Sequence, residues 1–230
     1  MRNKLLTILL FLNFGNVLLA NELDIKAKNI TIDKNNKVTI FEKDVEVKDQ
    51  FGNLIKADYV KFNKELNTLQ IEGNISSKDS AGNIFNGNKA TYDNNKKIFE
   101  SFGASSFQTS KGHQISTSNF ILDNRNAYIR SGEKTKITDQ DNNKIFLENF
   151  EYLKNDSIFK SVGSIKIVDK FENAYNFTQI YIDEKRKEII GSDAKFYIND
   201  SNFKLNNKNK PRVFANTISI SKNQSKFTKS

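Results

Sequence analysis

The chain of 230 residues has no cysteine and no tryptophan, and it contains only one histidine, one methionine and one proline. Without cysteine, disulfides, thiol catalysis and thiolate metal sites are excluded, so the fold must rest on burial and backbone pairing. The sequence also lacks a Gly-rich phosphate loop, a metal-ligand cluster and a G-x-S-x-G motif. No stretch beyond the N-terminal segment has the sustained apolar spacing of an amphipathic helix.

The N-terminus has a basic start, an apolar run and a small residue, in that order. Arg2 and Lys4 precede the uncharged run 5–12, and Ala20 precedes a polar stretch. This is the order of a secretory signal peptide, and the run is shorter than the roughly 20 residues that span a bilayer. We expect a signal peptide over residues 1–20 and a mature domain over 21–230, with a retained anchor as the alternative.

The formal net charge is +9, and removing Arg2 and Lys4 leaves +7 on the mature chain. The lysines are mixed with aspartate and asparagine in turn-like stretches such as 33–37, and no dense basic stripe stands out along the chain. Solvated turns are therefore the favoured interpretation, and predicted export adds to the case against a nucleic-acid partner.

A 30-residue internal repeat is the strongest pattern in the sequence. Residues two apart point to the same face of a strand, so two parallel series of apolar residues indicate one face of stacked strands. Every member except Ala90 is large and apolar or aromatic. The two series are Ile32, Phe62, Tyr92, Leu122, Tyr152 and Ile182, and Ile30, Val60, Ala90, Phe120, Phe150 and Ile180.

Three further series of residues have the same 30-residue period, and we call each of the five series a column. Five largely apolar columns over six repeats predict stacked strands with one apolar inner face. The further columns are Thr39, Leu69, Phe99, Ile129, Phe159 and Ile189; Val47, Ser77, Phe107, Ile137, Ile167 and Tyr197; and Ile55, Phe85, Ile115, Ile145, Tyr175 and Leu205.

Two turns separate the strands of each repeat. Residues 49–53 recur at 79–83, 109–113 and 139–143, with Gly or Asn in the fourth place, as a turn with positive φ requires. His113 occupies the place of Asn53 and is predicted to be a turn residue. The recurring Asp33, Asp93, Asp123 and Asp183 indicate turn chemistry rather than a carboxylate pair, so no catalytic residue is predicted.

The apolar columns allow two interpretations. They either pack against each other as a solenoid core, or enclose a groove that holds lipid. Small residues favour the groove modestly because they leave room. They are Ser101, Ser131, Ser161 and Gly191 in the column of Phe41 and Ile71, and Ser105 and Thr135 in the column of Val45 and Ile75.

The opening motif of residues 57–63, together with 72–75 and 79–83, resembles the OstA-like domain of LptA and of the periplasmic N-terminal part of LptD. The resemblance covers about residues 23 to 228. It implies an all-β fold, an elongated antiparallel β-jellyroll or β-taco, that carries lipopolysaccharide acyl chains in its apolar interior to the outer membrane. It also implies head-to-tail pairing of jellyrolls through edge strands.

Full-length LptD continues into an outer-membrane barrel and carries cysteines, neither of which is present here. We therefore expect the N-terminal portion of an LptD-like protein, truncated at its C-terminal end. A free-standing LptA-like bridge protein, or a structural or adhesive exported β-repeat protein without lipid, is the alternative.

The expected location is the periplasm, associated with the outer membrane, and no metal or cofactor is predicted. The expected partners are lipopolysaccharide, another jellyroll of the Lpt bridge docked on the N-terminal edge strand near Ile25 to Ile32, and a barrel if the chain continues. The predicted lipid-binding residues are Ile32, Val60, Phe62, Tyr92, Phe99, Phe107, Phe120, Leu122, Ile129, Ile137, Phe150, Tyr152, Phe159, Ile167, Ile180 and Ile182.

Overall fold

The computed structural model describes residues 23–49, 52–110, 112–199, 212–221 and 225–228, and these form two compact units. The N-unit ends at Ser131 and the C-unit begins at Gly132. The predicted signal peptide and Leu205 lie outside the described residues. Within the described ranges, no helix has the length and apolar character needed to cross a bilayer.

The N-unit consists of eleven strands among its described residues. Each long strand alternates buried and exposed side chains, as the two-residue period of a β-strand requires. The strands are β1 Asp24–Lys26, β2 Asn29–Asp33, β3 Val38–Lys48, β4 Leu54–Asn63, β5 Thr68–Lys78, β6 Ile84–Asp93, β7 Ile98–Phe102, β8 Ala104–Gln108, β9 Gln114–Ser118, β10 Phe120–Asp123 and β11 Tyr128–Ser131.

The C-unit continues the pattern with eight described strands. They are β12 Thr135–Thr138, β13 Lys144–Leu147, β14 Phe150–Leu153, β15 Ile158–Val168, β16 Ala174–Asp183, β17 Glu188–Tyr197, β18 Arg212–Ile220 and β19 Ser225–Thr228.

Strand pairing follows the 30-residue repeat. In the N-unit, Leu69 lies opposite Phe62 on one side and Tyr92 on the other. In the C-unit, Phe159 lies opposite both Tyr152 and Ile182. The pairings of these strands are antiparallel, so the predicted all-β antiparallel fold of 30-residue repeats is confirmed.

Both predicted turns recur with positive backbone φ angles. Gly52, Gly82, Gly112 and Asn142 occupy the fourth place with φ between +64° and +87°, as predicted. The aspartate that opens the other turn accepts backbone N–H groups, as Asp33 Oδ1 does from Asn36 at 3.1 Å. These turns therefore satisfy their own polar groups and return the chain at a fixed spacing.

The long strands bend near their middle, at a corner with a register shift. The shift separates Glu42 from Val45 in β3 and Val162 from Ile165 in β15. Positive φ values recur there in register with the 30-residue repeat, with one repeat skipped after Gly103, at Lys43, Gly73, Gly103, Gly163 and Asp193. A β-bulge of this kind turns a strand sharply, so each strand contributes one half to each of two walls.

Wall A consists of the strand halves next to the turns that begin at Asp33 and at its equivalents in the other repeats. The halves next to the turns that begin at Asp49 and its equivalents are wall B. In the N-unit the walls face each other, because the rings of Phe85 on wall B and Phe99 on wall A are 5.2 Å apart. In the C-unit, Phe196 on wall B and Phe227 on wall A are 6.1 Å apart. Each unit therefore encloses an interior between two walls.

One predicted column needs correction. The strict 30-residue period puts Tyr197 in line with Ile137 and Ile167, but Tyr197 is exposed and Phe196 is buried instead. The corner of β17 has one residue fewer, since the inward residues Gly191 and Ala194 are three apart whereas Ile71 and Ile75 are four apart. A one-residue change reverses the facing of every later residue in the strand.

Candidate functional site

The predicted lipid-binding residues of the N-unit point into its interior. Seven of them are buried, Phe62 is half-buried and Ile32 is exposed. Burial thus increases away from the N-terminal edge. The seven are Val60, Tyr92, Phe99, Phe107, Phe120, Leu122 and Ile129.

The predicted residues of the C-unit are all buried. Both walls contribute, since Ile137 and Ile167 lie on wall B and the others on wall A. The full set is Ile137, Phe150, Tyr152, Phe159, Ile167, Ile180 and Ile182.

Four phenylalanines bridge the walls of the N-unit in a closed ring of contacts. The centroids of Phe85 and Phe99 are 5.2 Å apart and those of Phe107 and Phe120 are 4.3 Å apart, and both contacts cross from wall B to wall A. Phe85 contacts Phe107 at 5.0 Å, and Phe99 contacts Phe120 at 6.4 Å. This part of the interior is filled by the protein's own side chains.

Small residues accompany these rings. A Cβ added to Gly87 would lie 2.7 Å from the Cζ of Phe85, so the ring occupies the space that a side chain would take. Ser101 and Ser105 are buried nearby, and the Ser105 hydroxyl donates to the Ser101 hydroxyl at 3.0 Å. The small inward residues therefore make room for neighbouring rings, and their polar groups are satisfied.

The C-unit has a second aromatic group that also leans over a glycine. Phe196 contacts Tyr175 at 5.2 Å and Phe177 at 5.8 Å. A Cβ added to Gly191 would lie 2.6 Å from Cδ1 of Phe177. Of the small residues predicted to leave room for a ligand, Gly191 is thus covered by a protein ring.

Two buried tyrosines of the C-unit keep their hydroxyl groups bonded to carboxylates. The Tyr152 hydroxyl donates to Glu184 Oε2 at 3.0 Å, and the Tyr175 hydroxyl donates to Asp169 Oδ2 at 3.0 Å. Burial, then the neighbouring negative charge, raises the pKa of both tyrosines. Both rings can therefore line an apolar interior in the neutral form.

The interior of the N-unit reaches solvent at its N-terminal edge. Ile30 and Ile32 are 53% and 65% exposed, whereas Val60 and Tyr92, their counterparts further along the columns, are 0% exposed. Ile30 lies opposite Phe41, and Ile32 lies opposite Thr39, on the inward face of β3. The apolar face is thus uncovered where β2 forms the edge.

The edge itself is built from two short strands. The predicted single strand over Ile25 to Ile32 is divided into β1 and β2, and both pair with β3. Lys28 lies between them, where its N–H donates to the Lys43 carbonyl at 3.0 Å and its side chain pairs with Asp44. Among the described residues, the pairing of β2 is with β3 and all five of its residues are exposed, so its other side presents backbone groups to a partner.

The single histidine and the recurring aspartates belong to turns, as predicted. The His113 N–H donates to Thr109 Oγ1 at 3.0 Å, which matches the bond from Asn53 N–H to Asp49 Oδ1 at 2.9 Å. Asp123 and Asp183 likewise accept backbone N–H groups within their own turns. Among the described residues, no three His, Cys, Asp or Glu side chains cluster as metal ligands would.

Sequence reasoning predicted an N-terminal edge strand but missed the corners and the exposure of Ile30 and Ile32 at that edge. The corners had a signal, because Gly73, Gly103 and Gly163 follow the same 30-residue period as the apolar columns. The exposure of Ile30 and Ile32 had none, because both continue those columns without a break and only strand order leaves them exposed.

No protein-family model matches the chain, and no curated protein matches it. Among solved structures, the chain is similar to LptH of Pseudomonas aeruginosa, described as the LptA-homologous periplasmic component of the conserved lipopolysaccharide transport device. Identity is 11%, the match covers 84% of this chain and 94% of that chain, and the TM-score is 0.21.

Proposed function

We propose that this protein is a periplasmic carrier of lipopolysaccharide acyl chains, held between walls A and B and passed on toward the outer membrane. The observation that carries the proposal is the uncovered N-terminal end of the apolar interior of the N-unit, at Ile30 and Ile32. A simple solenoid core would cover these two side chains, whereas a carrier needs an apolar opening. The resemblance of the repeat to the OstA-like domain supports the same function.

The packed interior is compatible with this function on energetic grounds. Each aromatic pair contributes about 0.5–1.5 kcal/mol beyond its area burial, so separating the four contacts among Phe85, Phe99, Phe107 and Phe120 costs roughly 2–6 kcal/mol. Burying an acyl chain gains about 0.8 kcal/mol per methylene, or roughly 10 kcal/mol for a dozen methylenes. If the four rings stay buried against the acyl chain, so that only their mutual contacts are lost, the exchange is favourable.

The uncovered edge also fits the bridging role. A partner jellyroll that adds a strand to β2 by main-chain pairing would cover Ile30 and Ile32 and join two apolar interiors. Lys26 and Lys28 put charge on this edge, which discourages indiscriminate strand pairing without blocking a specific partner. Within this proposal the chain is the N-terminal domain of an LptD-like protein, and a free-standing LptA-like protein is the alternative. A barrel-coding sequence after Ser230 would separate the two.

Site-specific photo-crosslinking in cells tests both parts. A photoreactive residue at Phe120 or Tyr152, which point inward, should capture lipopolysaccharide. One at Phe102, which is 41% exposed and lies opposite the outward residue Lys89, is the matched control and should not. A photoreactive residue at Thr31 should capture a partner jellyroll.

The outcomes separate the alternatives. If lipopolysaccharide is captured at Phe120 and Tyr152 but no partner is captured at Thr31, the carrier function is supported and the bridging role is wrong. If a folded protein captures no lipid at either inward position, the transport proposal is wrong and the structural or adhesive alternative is favoured. Far-UV circular dichroism of each variant confirms that the β-fold is intact.

A further inference from the structure

The outward face of wall B in the C-unit carries two rows of side chains across six paired strands. Strand registers place the members of each row directly opposite one another, from β12 to β18. The first row is Lys136, Phe146, Lys166, Asn176, Lys195 and Phe214, and the second is Thr138, Lys144, Val168, Ala174, Tyr197 and Arg212. Strands lie about 4.8 Å apart, so the rows extend roughly 24 Å.

These rows combine positive charge with exposed aromatic rings. They contain five cations, Lys136, Lys144, Lys166, Lys195 and Arg212, and no acidic residue. Phe146 is 39% exposed, Tyr197 is 38% exposed and Phe214 is 49% exposed. The rings of Tyr197 and Phe214 contact each other at 6.1 Å, so they form a continuous apolar surface beside the lysines.

Acidic residues lie at the borders of this face, and two of them have partners there. Asp141, in the turn, pairs with Lys170 at 2.9 Å. Asp193, at the corner, accepts a hydrogen bond from the Thr178 hydroxyl at 2.7 Å. The two rows between turn and corner themselves hold five cations and no acidic residue.

The other outward face of the same unit differs. On wall A the corresponding row is Glu151, Lys160, Tyr181, Ile190, Ser219 and Lys226, in which an acidic residue accompanies the two lysines. The next row includes Asp183 opposite Glu188. The C-unit therefore has one basic, aromatic side and one mixed side.

We propose that the basic, aromatic face of wall B docks on the surface of an anionic phospholipid bilayer. Lysines attract anionic headgroups, while Phe and Tyr rings favour the boundary between headgroups and acyl chains. Charge complementarity favours an anionic partner. The half-exposed phenylalanines favour a partner with an apolar layer, such as a bilayer, over a polyanion dissolved in water. Predicted export puts the chain beside membranes rather than nucleic acid. The docking is independent of what the interior carries.

Vesicle binding of the mature chain from Asn21 onward tests the docking surface. We expect it to sediment with vesicles of phosphatidylglycerol and not with vesicles of phosphatidylcholine. Each lysine near an anionic surface strengthens binding about fivefold, so Lys166→Gln with Lys195→Gln should weaken it about 25-fold. The matched control, Lys160→Gln with Lys226→Gln, removes two lysines from the outward side of wall A and should bind like the parent.

A tryptophan reporter distinguishes docking through this face from general charge attraction. The chain has no tryptophan, so Phe214→Trp introduces a single one. Its emission should shift to shorter wavelength with phosphatidylglycerol vesicles, because the ring enters a less polar layer. Phe102→Trp, at an exposed position of the N-unit, should show no shift.

Three results would overturn the proposal: equal loss of vesicle binding in both lysine pairs, no emission shift in the Phe214→Trp variant despite sedimentation, or binding to single-stranded nucleic acid but not to vesicles. None of them bears on acyl-chain binding, which the crosslinks at Phe120 and Tyr152 test separately.

Discussion

The outward faces of wall B differ between the two units, although their inward faces carry the same kinds of residues. In the N-unit the outward row is Glu46, Lys56, Ser76, Asn86, Ser106 and Ser116. Its charges are partly paired, as Lys56 lies 3.0 Å from Glu46. In the C-unit the equivalent row holds three lysines and two phenylalanines. Burial fixes the inward residues, while the outward ones are free to differ and can specialise.

The largest expected effect tests the common interior. Phe107→Ala in the N-unit and Phe159→Ala in the C-unit each remove a buried ring, and each should lower the free energy of unfolding by about 3–5 kcal/mol. Urea denaturation measures the loss. The outward variants Phe102→Ala and Phe146→Ala are the controls and should cost less than about 1 kcal/mol. Equal losses at inward and outward positions would contradict the two-walled interior.

A smaller effect is expected at the corners between the walls. Gly73 and Gly103 have nearly the same φ, +76° and +75°, but their surroundings differ. A Cβ at Gly73 would lie 2.8 Å from the Cβ of Asp58, whereas nothing lies within 4 Å at Gly103. Gly103→Ala should therefore cost only the backbone strain, about 1–2 kcal/mol, and Gly73→Ala should cost clearly more. Thermal or urea unfolding checks the order, and a greater loss at Gly103 would show that the corner contact is unimportant.

The smallest effect concerns ionisation of the buried C-unit tyrosines. The pKa of Tyr152 and of Tyr175 is raised in the folded state above the ordinary value of about 10. Their contribution to stability is therefore complete below pH ~10 and is lost as the pH rises toward the folded pKa. In an alkaline titration followed by phenolate absorbance, these two should titrate after exposed tyrosines. Tyr152→Phe with Tyr175→Phe should reduce the late step by the absorbance of two tyrosines, and an unchanged late step would contradict the assignment.

Most of the fold could be predicted from the sequence because buried positions recur every 30 residues, the length of chain that returns to the same place in the sheet. Val60, Tyr92, Phe120 and Phe159 were recognisable as inward residues by period alone, and the structure buries them all. That Phe196 rather than Tyr197 points inward could not be predicted, because it depends on a corner that is one residue shorter in β17. The opening at Ile30 and Ile32 was equally hidden, since exposure depends on which strands are neighbours.

The sequence by itself determined the repeat, the inward columns and the turns, because apolar burial and positive φ restrict residue type at each position. Only the tertiary structure decided which apolar residues stay uncovered and how the outward residues are grouped. Along the chain the lysines form no dense stripe, but pairing of β12 to β18 brings Lys136, Lys166 and Lys195 into one row. Solvent-facing positions tolerate most residues, so their pattern acquires meaning only when neighbouring strands bring them side by side.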